Sequence, residues 1–179
     1  MGKRSPVGSI TCDTHADVLV SAHHHTREKG LIVADKEKKN YQTGNDKGKE
    51  PYVVNIEEKT VKNTLFRDTV WTGKHLQLTL MSIPAGGDIG LEVHPKNDQF
   101  LRIEKGKGKV EMGPKKSELT FVKEVEGDDI ILVPAGTWHN VTNTGSDDLK
   151  VYALYGPADH EPGTQHETQE DAEADPAED

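Results

Sequence analysis

The chain has 179 residues, of which 32% are hydrophobic and 30% charged, and its formal net charge is −9. That length suffices for one domain with tails, and the low hydrophobic content predicts that part of the chain lies outside a folded core. The negative charge argues against a nucleic-acid-binding protein, and no apolar run reaches the roughly 18 residues that a membrane-spanning helix needs. The single cysteine, Cys12, builds no disulfide framework, so we expect a cytoplasmic protein.

The first part of the chain carries no periodic pattern of apolar residues. Residues 1–50 are rich in Lys, Asp, Gly, Thr and Ser and are predicted to form a disordered polar extension. This stretch contains the histidine run 23–25, which either binds a metal ion loosely or is an incidental polar tract.

The pattern changes at Pro51. Residues 52–56 predict a short strand, and residues 57–63 predict one or two helical turns. Strand-like runs then follow at short intervals, at residues 65–71, 75–83, 91–94, 99–104, 109–112, 119–125, 130–133, 138–142 and 149–155. Run 130–133 is apolar throughout, which is typical of a strand covered on both faces. Many short strands separated by Gly-rich turns predict an all-β sandwich or barrel over residues 51–157.

The last part of the chain, residues 158–179, holds nine acidic residues and no Lys or Arg. This composition predicts an acidic flexible tail. His160 and His166 lie in it, and they either cover one end of the barrel or belong to the solvated tail.

A candidate metal site comes from alternation along two of the strands. Glu92 and His94 are two residues apart, so they share one face of a strand. With His139 they provide two imidazoles and one carboxylate, a set that suits Fe(II) and also Mn(II), Ni(II), Co(II) or Zn(II). Gln99 is a possible fourth ligand through its amide oxygen, while Asp98 faces the other way. Without a metal, Glu92, His94 and Gln99 would instead hydrogen-bond to one another.

These two segments resemble the two characteristic motifs of the cupin superfamily, G-x5-H-x-H-x(3,4)-E-x6-G and G-x5-P-x-G-x2-H-x3-N. Gly86, His94, Gln99 and Gly106 fall on the first motif, and Pro134, Gly136, His139 and Asn143 fall on the second. Glu92 replaces the first His of the usual motif, and Gln99 replaces the usual Glu. The resemblance implies a cupin jelly-roll β-barrel with Glu92, His94, Gln99 and His139 as metal ligands.

The resemblance to small single-domain cupins, including the mannose-6-phosphate-isomerase-like type, also implies a function. Our first hypothesis is a metal-dependent isomerase, epimerase, decarboxylase or dioxygenase acting on a small polar molecule, in which Glu92 is either a metal ligand or a base. The alternative is a non-catalytic cupin that binds a small molecule, and a weaker third hypothesis is a scaffold with charged arms. The resemblance further implies a homodimer.

Overall fold

The structure is a computed structural model, and it describes residues 46–177. The predictions for residues 1–45, including those for Cys12 and the histidine run 23–25, lie outside the described residues. Within the described part, no helix is long and apolar enough to cross a membrane. The cytoplasmic location stays a prediction.

The described chain forms nine strands in two antiparallel sheets, with one short helix before them and one after. The elements are α1 (Ile56–Lys62), β1 (Arg67–Thr72), β2 (Gln77–Ile83), β3 (Asp98–Lys105), β4 (Lys107–Gly113), β5 (Phe121–Glu126), β6 (Ile130–Val133), β7 (Trp138–Asn143), β8 (Leu149–Gly156), β9 (Gln165–His166) and α2 (Gln169–Ala174). One sheet has the order β6-β3-β8-β2-β1-β9, and the other has the order β5-β4-β7. The predicted all-β jelly-roll fold is confirmed.

The strand predicted over residues 52–56 is wrong, whereas the helical turns predicted after it are confirmed as α1. Asn55 is the N-cap of this helix, and its side-chain oxygen accepts a hydrogen bond from the Glu58 amide at 3.0 Å. Acidic residues in the first turn and lysines in the last turn also suit the helix dipole. This capping stabilises a helix start where the apolar run alone indicated a strand.

The hydrophobic core lies between the two sheets and follows the alternation of the strands. On β8, Val151, Ala153 and Tyr155 are buried. The same rule buries the polar side chains of Gln99 on β3 and His139 on β7, which are 2% and 0% exposed. The alternation therefore carries two polar side chains into the barrel together with the apolar ones.

Strand β6 differs from its prediction. Ile131 and Val133 are buried, but Ile130 is 52% and Leu132 is 62% exposed. The reason is position, since β6 lies at the edge of its sheet and pairs with β3 alone among the described strands. An uninterrupted apolar run thus lies on an edge strand with one open face, and the expectation of cover on both faces was wrong.

Residues 158–177 also differ from the expected flexible tail, because they pack on the barrel. Strand β9 pairs with β1, with His166 opposite Arg67. Helix α2 starts with a capping box between Thr168 and Asp171, and its Ala172 is 7% exposed. Backbone pairing and capping order this segment, and acidic composition does not reveal either of them.

The segment just before Pro51 is also attached to the barrel. The Asp46 carboxylate accepts hydrogen bonds from the Thr72 amide at 3.0 Å, the Thr72 hydroxyl at 2.6 Å and the Gly163 amide at 3.0 Å. One buried carboxylate therefore connects residues 46–50, β1 and the chain after β8. These residues do not belong to a disordered extension.

Candidate metal centre

Three side chains predicted as metal ligands meet inside the barrel. The Glu92 Oε1 atom is 3.1 Å from His94 Nε2 and 3.2 Å from His139 Nε2. The potential ligand atoms of the three residues all lie within 4.8 Å of one another. The structure therefore brings together the two imidazoles and the carboxylate that the sequence pairs.

The backbone fixes this arrangement without a regular strand at residues 91–94, where the sequence predicts one. Glu92 and His139 instead form an isolated antiparallel bridge, with Glu92 N donating to His139 O at 3.0 Å and His139 N donating to Glu92 O at 2.9 Å. Residues paired in this way place their side chains on the same face. His94 is held by a third bond, from the Gly136 amide to the His94 carbonyl at 2.9 Å.

The Pro-Ala-Gly corner before β7 makes that third bond possible. The Thr137 amide donates to the Pro134 carbonyl at 3.1 Å and closes a turn. Gly136 has a φ of 77°, a left-handed conformation that glycine adopts at little cost. The second segment of the sequence motif thus both delivers His139 and anchors His94.

The hydrogen bonds of His139 define which of its nitrogens faces the cluster. Its Nδ1 lies 3.0 Å from the carbonyl oxygen of Thr137, and since a carbonyl only accepts, Nδ1 carries a proton. The Nε2 atom is buried beside Glu92 and has no aligned hydrogen-bond partner among the described residues. Nε2 is therefore the ring nitrogen of His139 that faces the cluster and could bind a metal ion there.

Gln99 is the most unusual polar residue near the centre. It is 2% exposed, and neither its amide nitrogen nor its amide oxygen has a hydrogen-bond partner among the described residues. In the β3–β8 register it lies opposite Tyr155, whose ring meets the ring of His94 edge-on at 5.5 Å between centroids. The Tyr155 hydroxyl offers Gln99 a side-chain hydrogen bond of poor geometry. Because a buried amide without well-aligned partners costs free energy, Gln99 retains hydrogen-bonding capacity for a ligand.

The electrostatics of the centre in the metal-free protein are those of a buried ion pair. Burial alone would raise the pKa of Glu92, but the neighbouring imidazoles of His139 and His94 lower this pKa to about 2. Burial alone would lower the pKa of His94, but hydrogen bonds to Asp159 and Glu92 raise this pKa to about 9. At neutral pH the metal-free centre therefore holds a carboxylate and an imidazolium, and a metal ion must displace the proton of His94.

Sequence reasoning missed one residue of this centre, Asp159. Its Oδ2 atom lies 3.2 Å from Nδ1 of His94, on the side of the ring away from Glu92. Asp159 follows the last long strand and belongs to the stretch predicted as a flexible tail. The available signal in the sequence is the neighbouring His160, for which a position over one end of the barrel is one of the two predicted alternatives.

Comparison with known proteins agrees with this fold and motif pattern. The cupin domain family matches residues 79–155. The chain is 57% identical over 129 residues to the uncharacterized protein YrkC of Bacillus subtilis, which covers 72% of this chain and 69% of YrkC. This chain belongs to the cupin superfamily. The crystal structure of the cupin's relative BH2720 from Bacillus halodurans is 56% identical and superposes with a TM-score of 0.73, covering 73% of this chain and 99% of BH2720. The uncharacterized protein L612 of Acanthamoeba polyphaga mimivirus is 45% identical over 113 residues, or 63% of this chain and 69% of L612.

The donor set of this cupin fits a divalent metal ion. Glu92, His94 and His139 provide one carboxylate oxygen and two imidazole nitrogens within one cluster. Gln99 adds a buried amide oxygen without a partner among the described residues. The chemistry of these donors suits a divalent metal ion held by the two imidazoles and the carboxylate.

A small cavity borders this centre at Glu92. It has a volume of about 170 Å³, and Glu92 lines it together with Arg67, Ile89, Gln169 and Asp175. Helix α2 forms part of its wall, because Ala172 and Glu173 also contact it. This volume and the mixed polar lining suit a small polar molecule.

Proposed function

We propose that this cupin binds a divalent first-row metal ion through Glu92, His94, Gln99 and His139 and converts a small polar molecule at that ion. The observation that carries the proposal is the cluster of two imidazoles and one carboxylate, whose ligand atoms lie within 4.8 Å of one another in a barrel that also buries the Gln99 amide. Fe, Mn, Zn, Ni and Co all suit these ligands.

The proposed chemistry is of the isomerase, epimerase or dioxygenase type, and includes that of mannose-6-phosphate-isomerase-like cupins. A bound ion supplies a Lewis acid for a carbonyl or hydroxyl oxygen, or a site for dioxygen. Glu92 serves as a ligand rather than as the base, because its carboxylate oxygen lies 3.1 Å and 3.2 Å from the Nε2 atoms of the two histidines, within the same cluster of ligand atoms. The cavity beside Glu92 admits the substrate.

The second candidate is a non-catalytic cupin that binds a small molecule in the same cavity. The observation that favours it is the close contact of Glu92 with His94 and His139, which balances the charges of the centre without any metal. In that case the Glu at the usual His position and the Gln at the usual Glu position mark a cupin that has lost its metal.

Metal analysis of protein purified without an affinity tag tests the proposal. Wild type is expected to take up about one equivalent of metal, while Glu92→Ala and His139→Ala lose at least about tenfold in affinity because each removes one strong ligand. His75→Ala is the matched control, since His75 is an exposed histidine outside the centre. Equal and negligible metal in wild type and all variants would contradict the metal site.

Activity then separates the two candidates. Metal-loaded wild type is screened for oxygen uptake and for isomerase turnover of small polar substrates. Turnover that disappears in His139→Ala supports the enzyme. A protein that carries no metal but is stabilised against heat by a small molecule supports the binding cupin.

We also propose that two copies of this cupin pair through the outer face of the six-stranded sheet. The strand register places Leu132, Phe100, Leu154, Leu78 and Trp71 in one row across β6, β3, β8, β2 and β1. Beside this row lies a groove of about 450 Å³, and Val53, which is 97% exposed, lines it. A contiguous apolar face of this kind is typical of a protein interface.

A further inference from the structure

We propose that Asp159 is a positioning residue that holds the ring of His94 with its Nε2 atom toward the metal position. The proposal builds on the proposed metal function and assigns a role to the segment after β8. Asp159 does not itself touch the cluster of ligand atoms, and it acts through His94.

The contact geometry carries the first step. The Oδ2 atom of Asp159 is 3.2 Å from Nδ1 of His94, and their side chains are 22% and 12% exposed. A carboxylate only accepts, so this contact favours a proton on Nδ1 and leaves Nε2 facing Glu92. Histidines that bind metals usually donate their second N–H to a carboxylate or a backbone carbonyl.

The two histidines of the centre are oriented in the same way by different acceptors. His139 directs Nδ1 to the Thr137 carbonyl at 3.0 Å, and His94 directs Nδ1 to the Asp159 carboxylate. Both Nε2 atoms then lie about 3 Å from the same oxygen of Glu92, at 3.1 Å for His94 and 3.2 Å for His139. The acceptor for His139 is a neutral carbonyl two residues away in the chain, whereas the acceptor for His94 is a carboxylate from a remote part of the chain.

A buried glutamine holds the backbone of Asp159 in place. Gln77 is 0% exposed, and its side-chain oxygen accepts hydrogen bonds from the amides of Asp159 at 3.1 Å and His160 at 2.9 Å. Its side-chain nitrogen donates to the His160 carbonyl at 2.8 Å and to the Thr72 hydroxyl at 3.0 Å. The side chain of Gln77 therefore makes four hydrogen bonds, and three of them hold the backbone of Asp159 and His160.

Two further contacts leave the segment little freedom. The Asn97 side-chain amide donates to the Pro157 carbonyl at 2.9 Å, which connects the segment to the loop that follows His94. The His160 ring packs edge-on against Tyr155 at 4.9 Å, and Tyr155 in turn packs edge-on against His94 at 5.5 Å. Hydrogen bonds and ring packing therefore hold the segment from which Asp159 reaches His94.

The test is a metal titration of Asp159→Ala, Asp159→Asn and Asp159→Glu with Co(II), whose visible absorption reports the ligand geometry. We expect Asp159→Ala to lose about 10- to 100-fold in affinity and to change the absorption spectrum, the usual effect of removing a carboxylate behind a ligating histidine. Asp159→Asn keeps the shape and loses the charge, so it is expected to fall between Ala and wild type. Asp159→Glu should recover part of the loss.

Glu161→Gln is the matched control. Glu161 is an exposed carboxylate of the same segment, and its hydrogen bonds with described residues use its backbone carbonyl. This variant should keep the wild-type affinity and spectrum. Thermal unfolding of each variant shows whether a loss of affinity comes from a loss of folding.

A second readout needs no metal. In metal-free protein with ¹⁵N-labelled histidine, the Nδ1–H signal of His94 is expected in wild type and Glu161→Gln and is expected to shift or disappear in Asp159→Ala. Wild type that binds no Co(II) would overturn the proposed metal function, while this signal still tests the contact between Asp159 and His94. The positioning role is overturned if Asp159→Ala keeps the wild-type Co(II) affinity and spectrum, or if the His94 signal does not depend on Asp159.

Discussion

At the scale of single residues, the polar groups of the centre differ in whether neighbouring side chains compensate the cost of burying them. Glu92, His94 and His139 balance one another within hydrogen-bond distance. Gln99 is buried and has no such compensation among the described residues. The first three residues therefore tolerate the metal-free state, whereas Gln99 is costly in it, and the two kinds of residue should respond differently to substitution.

Replacement of Gln99 by methionine separates stability from metal binding. Gln99→Met keeps the length of the side chain and removes an unpartnered amide, so the metal-free protein should gain about 1–2 kcal/mol in free energy of unfolding. The same variant lacks the fourth ligand, so its metal affinity should fall about tenfold. Urea unfolding with a chelator and metal titration measure the two effects. A metal-free protein destabilised by Gln99→Met would show that the amide has partners in solution.

The shifted pKa values of Glu92 and His94 predict how the free energy of unfolding of the metal-free protein depends on pH. His94 has its pKa raised from 6.5 to about 9, so its contribution is complete below pH 6.5 and is lost as the pH rises toward 9. Glu92 has its pKa lowered from 4.5 to about 2, so its contribution is complete above pH 4.5 and is lost as the pH falls toward 2. The pair therefore stabilises the fold most between pH 4.5 and 6.5.

Urea unfolding between pH 5.5 and 9.5 with a chelator measures this dependence. Wild type should lose roughly 1–3 kcal/mol in free energy of unfolding as the pH rises through this range, since one pKa unit corresponds to about 1.4 kcal/mol. His94→Gln is the reference, because it has no proton to lose at this position. Parallel profiles for wild type and His94→Gln would contradict the raised pKa of His94.

Sequence reasoning reached the residues of the centre that obey local rules and missed the one that does not. Period-two alternation selects Glu92 and His94, although an isolated bridge to His139 rather than a regular strand holds Glu92 there, and the corner before β7 indicates His139. Asp159 reaches His94 through a contact between residues 65 positions apart in the chain, and no short-range pattern records such a contact.

At the scale of elements, the same contrast separates the strands from the segment after β8. The strands were predictable because apolar alternation and Gly-rich turns are local signals. Residues 158–177 are ordered by remote partners instead. The Thr69 amide donates to the Thr164 carbonyl at 2.9 Å, and Gln77 binds the backbone of Asp159 and His160. The acidic composition alone predicts a flexible tail, because hydrogen bonds to residues far away in the chain leave no local sequence pattern.

Strand β6 is a second case in which the local pattern predicts the strand correctly but predicts its burial wrongly. Its four residues are apolar, so a strand is predicted, and a strand is observed. Whether both faces are covered depends on its place in the sheet, and that place is an edge. The apolar residues Ile130 and Leu132 then need another explanation, which arises at the scale of the whole molecule.

At the scale of the whole molecule, an apolar surface lies on the outer face of the six-stranded sheet in the described part of the chain. Leu132 starts a row of apolar side chains that runs through Phe100 and Leu154 toward Trp71. The candidate metal centre lies on the inner side of the same sheet, where Gln99 and Tyr155 are buried. Pairing through the outer face therefore leaves the centre unobstructed.

A charge introduced in this row should separate the proposed dimer. Light scattering coupled to gel filtration is expected to give wild type twice the chain mass of 19.7 kDa and to give Leu132→Glu a single chain mass, because a buried unpaired carboxylate at an interface is costly. Phe121→Glu is the control, since Phe121 is 47% exposed on β5 of the other sheet and should leave the dimer intact. A monomeric wild type, or a Leu132→Glu variant that keeps the wild-type mass, would exclude this face as the interface. Equal metal content in wild type and Leu132→Glu would show that each subunit carries a complete centre.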